Sequence, residues 1–428
     1  MAAAFGRWPR IGVLVAGLVL AAGAAGRADD KPNPLREELL KLNSATTEDV
    51  QNAKFRALIK DREKAKKAVA EAAKMMKEAK DKDEKPFNYN GTLILARAAH
   101  VVKNYDAAEK FYEHQAELAT KLKSGTKILT AYEGLIDLYI DTKRYDDAVD
   151  TCEKVVDMRE PKEVDDARPF ILEKLIQAKA KQGKIDEAMN LTKGLIELSD
   201  GGWYFLQLRG WVQREGGKID DAIKTYSEVL DKLDANKELK DDLKDRLKDR
   251  VRYVLSGLHV ENKDIDKAAK QLQTLIKRNP DRATYKNDLG FIWCDNDMNL
   301  EESEKLIKEA LDLDKKEQEK LLADKKIDEV KENAAYLDSL GWVYFKQKKY
   351  KEAVDLLKKA SLDEDEGNHL EIWDHLADTY MALGQKKEAV AAWEKGLKAE
   401  DLSKRDAERR RKVTEKLKKA RAELSGDK

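Results

Sequence analysis

The chain has 428 residues, of which 39% are charged and 7% aromatic. Lys plus Arg equals Asp plus Glu at 83 each, so no global electrostatic attraction draws the chain to nucleic acid. Only 7 Pro and 22 Gly stand among abundant Ala, Glu, Lys and Leu, which predicts a helical, folded protein and excludes a disordered one.

The N-terminus differs from the rest. Arg7 and Arg10 precede an apolar run over 11–26 that ends in small residues. This is the layout of a secretory signal peptide, expected over 1–28 with cleavage after Ala24 or Ala28. A spanning helix needs ~20 apolar residues, and this run is shorter and Gly-rich. Export to the periplasm or another extracytoplasmic space is therefore expected, with an uncleaved anchor as the alternative. No Cys follows the run and the arginines are not adjacent, so neither lipid attachment nor the twin-arginine route is indicated. Residues 29–88 form the next expected segment. Within it, 46–80 reads as one long helix or a pair, capped at Thr46 or Thr47 and closed by Pro86. It is a candidate degenerate repeat.

From residue 89 one phrase returns: a basic residue or turn residue, then Tyr or Ile, then acids, then Ala. It appears as NYDAA at 104, RYDDA at 144, KIDEA at 184, KIDDA at 218, DIDKA at 264, NLEES at 299, KYKEA at 349 and KKEA at 386. The closing small residues are Ala108, Ala148, Ala188, Ala222, Ala268, Ser303, Ala353 and Ala389, spaced 40, 40, 34, 46, 35, 50 and 36 residues apart. Such a return is the mark of stacked helix pairs. The acids fit the first turn of a second helix, near the positive end of its dipole. The small residue fits a close helix crossing. A further small or modest residue lies twelve or thirteen positions earlier, as at Gly210, Gly290 and Gly341. The expected pairs span 89–122, 129–162, 169–202, 203–236, 249–282, 283–317, 334–367 and 370–403. One pair cannot cover its own apolar face, and stacked neighbours can.

Charged insertions separate some pairs. Residues 237–250 are expected to lengthen the first helix of the fifth pair, and 315–333 to lengthen or insert a helix before the seventh. Residues 404–428 carry 11 Lys or Arg against 5 Asp or Glu, a local charge of +6. Val413, Leu417, Ala420 and Leu424 form a stripe at helical spacing there, which favours a capping helix over an anion-binding arm. Cys152 and Cys294 fall four repeats apart, too far for a disulfide, whose Cα atoms lie within ~7 Å. Both read as small buried residues.

Several near-motifs fail on their chemistry. Residues 295–306 open like a calcium loop, but Leu300 and Leu306 stand where Gly and Glu are required. Residues 210–219 have phosphate-loop glycines at the wrong spacing, and Ile219 replaces the magnesium-binding hydroxyl. His369 and His375 lie on different sides of a helix. No metal-binding pair, nucleophile elbow or dinucleotide fingerprint is present. The expectation is a protein that is not an enzyme and carries no cofactor or metal.

In the last pair, Trp373, Leu376, Ala377, Tyr380, Ala389, Trp393 and Gly396 follow a framework that resembles the tetratricopeptide repeat. Pro280 with Asp288, Leu289 and Gly290 follows it as well. The resemblance covers roughly 89–403. The first-helix Tyr is replaced by Lys179 in the third pair and His259 in the fifth. The resemblance implies an all-α, right-handed solenoid of antiparallel helix pairs. It places Trp293, Trp373 and Trp393 between helices. It also implies a concave groove lined by the second, fifth, ninth and twelfth places of each pair. These are Tyr204, Gln207, Trp211 and Arg214; then Tyr253; then Asn287 and Phe291; then Asp338, Trp342 and Phe345. Aromatic anchors with sparse polar groups suit a protein or peptide ligand, although the same rings could pack between repeats. The family's carboxylate clamp needs Lys and Asn where this chain has Gln207, Asn287, Asp338 and Asp374, and Trp211, Phe291, Trp342 and Asp378, so that client class is not implied. The expected function is an exported, non-catalytic binding scaffold, with envelope assembly as its setting by analogy. No nucleic-acid partner is expected; a monomer is expected and an oligomer left open. A membrane-surface adaptor, held by an uncleaved N-terminus and the basic C-terminal helix, is the alternative.

Overall fold

The computed structural model describes residues 33–80, 84–199, 202–363, 367–399 and 404–426; the expected signal segment at 1–28 lies outside them. All regular structure among the described residues is helical. The chain divides into two compact units, the first running to Lys143 with Arg159–Val164, the second holding Arg144–Met158 and Asp165 onward.

The first unit opens with α1 (Pro34–Leu40), a tight 3-10 turn, α2 (Glu48–Ile59) and α3 (Arg62–Lys80). Thr47 caps α2, its hydroxyl accepting from the Val50 amide. Then come α4 (Tyr89–Val101), α5 (Tyr105–Lys121) and α6 (Gly125–Asp141). The fully buried Phe87, Ile94, Leu95 and Phe111 hold this unit's core.

The second unit begins with α7 (Tyr145–Val156), and the boundary falls in the turn of the second expected pair. A short α8 (Lys162–Asp166) straddles the two units. Six hairpins follow: α9 (Arg168–Lys181) with α10 (Ile185–Leu198), α11 (Trp203–Glu215) with α12 (Ile219–Ala235), and α13 (Asp241–Glu261) with α14 (Ile265–Arg278). Next are α15 (Ala283–Asp295) with α16 (Leu300–Ala323), α17 (Ala334–Lys346) with α18 (Tyr350–Ser361), and α19 (Leu370–Ala382) with α20 (Lys386–Gly396). The basic α21 (Lys404–Ser425) closes the chain. The charged insertions appear as extra turns on α13 and α16.

The fold is therefore an all-α solenoid of antiparallel hairpins, and local chemistry explains each hairpin. Short turns reverse the chain, with one residue in left-handed backbone: Lys263, Lys348 and Gly384 have φ of 61°, 64° and 76°. Acids then open the second helix, as Asp220 and Asp221 open α12. The small residues sit at the crossings. Ala222, Ala353 and Ala389 are fully buried. A Cβ on Gly210 would lie 2.7 Å from the Tyr226 ring, and one on Gly341 would lie 2.7 Å from Leu357. Larger side chains there would force the paired helices apart. Trp293, Trp373 and Trp393 are buried within the second unit's core clusters.

The C-terminal helix completes the last of these clusters. Val413, Leu417 and Ala420 are buried against Trp373, Trp393 and their neighbours. Arg410 donates to the carbonyls of Leu397 (2.6 Å) and Ala399 (2.5 Å), which lie just past the end of α20. Leu424 is the exception in the expected stripe, at 42% exposed, because the apolar surface ends before it. Cys152 and Cys294 are both buried and unbridged, and burial pushes the Cys294 thiol up to about 12.

Candidate functional site

Four first helices of the second unit's hairpins, α11, α13, α15 and α17, carry all ten residues expected to line a groove. A solenoid must satisfy the polar tips of these side chains as successive first helices pass one another. The structure does so with bonds from each hairpin to the next. Tyr204 on α11 donates to Glu173 on α9 at 2.8 Å. Arg214 Nε donates to Glu261 on α13 at 2.9 Å. Tyr253 on α13 donates to Asp288 on α15 at 2.6 Å, and its ring lies 5.6 Å from that of Tyr285. Burial pushes the Asp288 carboxyl up, while Tyr253 and Asn287 pull it down as donors. Gln207 is half-buried on α11. Trp211 is also half-buried, with the Lys181 ammonium 5.5 Å from its ring centre. Tyr204, Arg214 and Tyr253 are exposed.

Farther along, the structure gathers four of the expected residues around one the sequence left aside. His375 on α19 is 1% exposed. Its Nδ1 lies 3.0 and 3.1 Å from the two carboxylate oxygens of Asp338 on α17. The Trp342 ring stacks on the imidazole at 4.0 Å and 11°, and on Phe345 at 4.5 Å and 5°. Phe291 approaches His375 at 6.2 Å. Burial pushes the imidazole pKa down, but the adjacent Asp338 carboxylate more than reverses this, so the pKa is raised. His375 Nε2 has no hydrogen-bond partner.

This arrangement corrects the expectation that Asp338, Trp342 and Asn287 lie open along a groove. Trp342 is 8% exposed, held in an aromatic stack, with Nε1 donating to Asp295 at 3.3 Å. Asp338 is buried because it carries the imidazole, and Asn287 is buried beside Asp288. Their first-helix places are as expected. Their side chains turn into the seam between hairpins, where a neighbour satisfies them.

Trp342 and His375 still reach an open cleft of about 370 Å³. Asp295, Asp374 and Asp378 line it from the first-helix side, and Glu408, Arg409, Lys412 and Lys416 line it from α21. Lys416 donates to Asp374 at 2.8 Å and Asp378 at 2.6 Å. Trp393 Nε1 donates to Asp374 at 2.9 Å. Arg409 pairs with Glu371 and reaches Asp374 at 3.3 Å. Burial works against both aspartates. Lys416 outweighs it at Asp374, whose pKa is lowered, whereas Asp378 also faces the Asp374 charge and its pKa is raised. The cleft presents the edge of the Trp342 stack and ionic groups of both signs to a polypeptide. Among the described residues no group of three His, Cys, Asp or Glu could hold a metal ion.

Sequence reasoning missed His375, Asp374 and Arg409 as members of this cluster. A signal was available: Asp374 and Asp378 are four apart on one helix face, and Arg409 and Lys416 are seven apart on another. Nothing in the spacing says that the two faces meet.

Two family models match parts of the chain, in keeping with a repeat architecture. Residues 205–232 match the family model for the tetratricopeptide repeat. Residues 318–396 match that for subunit 3 of the anaphase-promoting complex, or cyclosome. No curated protein matches the chain at a significant level. Among solved structures, a tetratricopeptide repeat protein from Parabacteroides merdae is 14% identical, covering 66% of this chain and 98% of its own, with a TM-score of 0.44. BtubC from P. vanneervenii is 17% identical over 59% of this chain and 92% of its own, at 0.37. A human IFIT1 dimer with PPP-AAAA is 14% identical over 90% and 84%, at 0.44.

Proposed function

From the premise that the chain is a tetratricopeptide-repeat protein, and so an interaction scaffold by class, we propose that it is exported and holds a protein or peptide segment on the first-helix face of its second unit. The observation that carries this reading is the cleft beside Trp342 and His375. It is open, and one residue that lines it, His375, has a buried ring nitrogen without a partner. A buried polar atom without a partner costs free energy that a ligand donor or acceptor recovers. The exposed Tyr204 and half-buried Gln207 and Trp211 extend the same face. Rings with few polar groups are what concentrate binding energy in an interface. The scaffold is read as non-catalytic, because its charged groups are paired with one another rather than converging on a reactive atom.

Export rests on the text of residues 7–28. A role in envelope assembly would follow from that compartment and this class of scaffold. No helix among the described residues is long and apolar enough to cross a membrane. The test has two arms. Peptides selected from a random library on the immobilised chain should slow amide exchange in α11, α15, α17 and α19. Protection confined to the second helices would sink the binding face. Mass spectrometry of the mature protein should find a chain beginning at residue 25 or 29. An intact Met1 would sink export and leave the binding face untouched.

A further inference from the structure

The fifth hairpin carries a second cleft with a different chemistry. Its volume is about 260 Å³, and it is lined by Arg252 and His259 from α13 and by Lys267, Lys270, Gln271 and Thr274 from α14. Helical spacing explains the meeting. Positions 252 and 259 are seven apart, and 267, 270, 271 and 274 follow the same period, so each set forms one stripe along its helix. The two stripes face one another across the hairpin.

Three of the six lining side chains are formal cations and none is a carboxylate. The cleft beside Trp342 differs in this respect, since its aspartates are matched by Arg409 and Lys416. Arg252 spends one bond on the Gln271 side-chain Oε1 at 3.2 Å, and Lys267 pairs with Asp264 at 2.6 Å. Lys270 is exposed at the edge. His259 is 7% exposed, and its Nδ1 meets no hydrogen-bond partner. Two independent observations thus point to one missing group: the Arg252 and Lys270 charges, which no carboxylate matches, and a buried imidazole nitrogen with nothing to bond.

We propose that this cleft binds a phosphate group. A tetrahedral oxyanion accepts hydrogen bonds from several directions at once, which suits the Arg252 guanidinium, the Lys270 ammonium and an imidazole N–H drawn from two helices. A carboxylate has only two oxygens to offer them. A water takes up ~30 Å³, so the volume admits a phosphate with several of its waters. Burial pushes the His259 pKa down, with Asp264 pulling it up and Lys267 pushing it down, so the ring is held neutral beside the cations. A neutral imidazole can still donate from Nδ1. At this position the repeat framework has an aromatic residue, and His259 fills its volume while adding a polar edge.

The phosphate can belong to a soluble ion or to an anionic lipid headgroup, and the test separates these. The full chain is titrated with inorganic phosphate at fixed ionic strength while the ring resonances of His259 are followed. Floatation with phosphatidylglycerol vesicles, against phosphatidylcholine vesicles, forms the second arm. Saturable phosphate binding that shifts His259 supports a free-ion site. Floatation with phosphatidylglycerol alone, lost in the same variants, supports a headgroup site. In either arm Lys270→Gln should weaken binding about tenfold, the scale of one charge-assisted hydrogen bond. Lys270 is exposed, so this variant should fold; Arg252→Gln should act in the same direction. The pair Lys315→Gln with Lys316→Gln, on the exposed surface of α16, removes more charge and should change neither readout. The proposal is overturned if neither probe binds, or if the α16 pair weakens binding as much as Lys270→Gln.

Discussion

Replacing Trp342 with Ala tests how the first-helix face is built. The residue stands at a place that the repeat framework assigns to a groove, yet it is 8% exposed between His375 and Phe345. A buried Trp removes ~150–250 Å² from water, worth ~4–6 kcal/mol at ~25 cal/mol per Å². That area is an upper bound, because the unfolded chain already buries part of it. The expected cost is therefore ~3–5 kcal/mol, as for other large-to-small core changes. Trp211 occupies the corresponding place in α11 but is only half-buried beneath Lys181, so Trp211→Ala should cost ~1–2 kcal/mol. Stability in stacked repeats is local, so the comparison should use hydrogen exchange resolved by helix alongside urea melting. Trp342→Ala should speed exchange in α15, α17 and α19 and leave α9 to α12 nearly unchanged. If Trp342→Ala costs under ~1 kcal/mol, or no more than Trp211→Ala, the stack is not structural and the ring is free to serve a ligand.

Three further outcomes follow from the same geometry. The His375–Asp338 pair should make stability pH-dependent: the imidazole pKa is raised on folding, so its contribution is complete below the unfolded value of ~6.5 and fades as pH rises through the folded value. Asp338→Asn, with Glu371 and Arg409 the other charged groups acting on the ring, should therefore lag the parent most at low pH in urea melts, and a gap that is flat from pH 5 to 9 would contradict the pairing. Leu417→Ala should cost ~2–5 kcal/mol, and removal of residues 404–428 should promote association by uncovering Trp393; a truncated chain that stays monomeric with an unchanged melting curve would contradict the capping role. Gly341→Ala should cost ~1–3 kcal/mol in thermal melts, since its Cβ would meet the buried Leu357 at 2.7 Å.

The hairpins were legible because their chemistry is local. Each Ala or Ser at a crossing, each acidic first turn and each twelve-residue interval is written within one repeat. The second pair shows the limit: α6 begins at Gly125, four residues before the interval predicts, because only three residues join it to α5. The candidate site was legible only as places, not as partners. Spacing puts Trp342 and Asp338 on a first helix. It does not say that His375, one hairpin later, slots between them, because the rotation from one hairpin to the next decides which side chains meet. The same holds for Tyr253 and Asp288, and for Asp374 with Lys416. His259 is the opposite case. It broke the repeat framework openly in the sequence, and the structure places it in a basic cleft.

The account's central claim is that a polypeptide partner sits on the first-helix face of the second unit. It is tested most directly by placing a photo-crosslinking amino acid at Gln207, half-buried on α11, or at Lys224 on the paired α12. Each variant is irradiated in cells and the adducts are sequenced. The account predicts that Gln207 yields adducts to a defined polypeptide segment, which a synthetic peptide of that segment displaces, and that Lys224 does not. Equal adducts from both positions, or adducts from Lys224 alone, would contradict it.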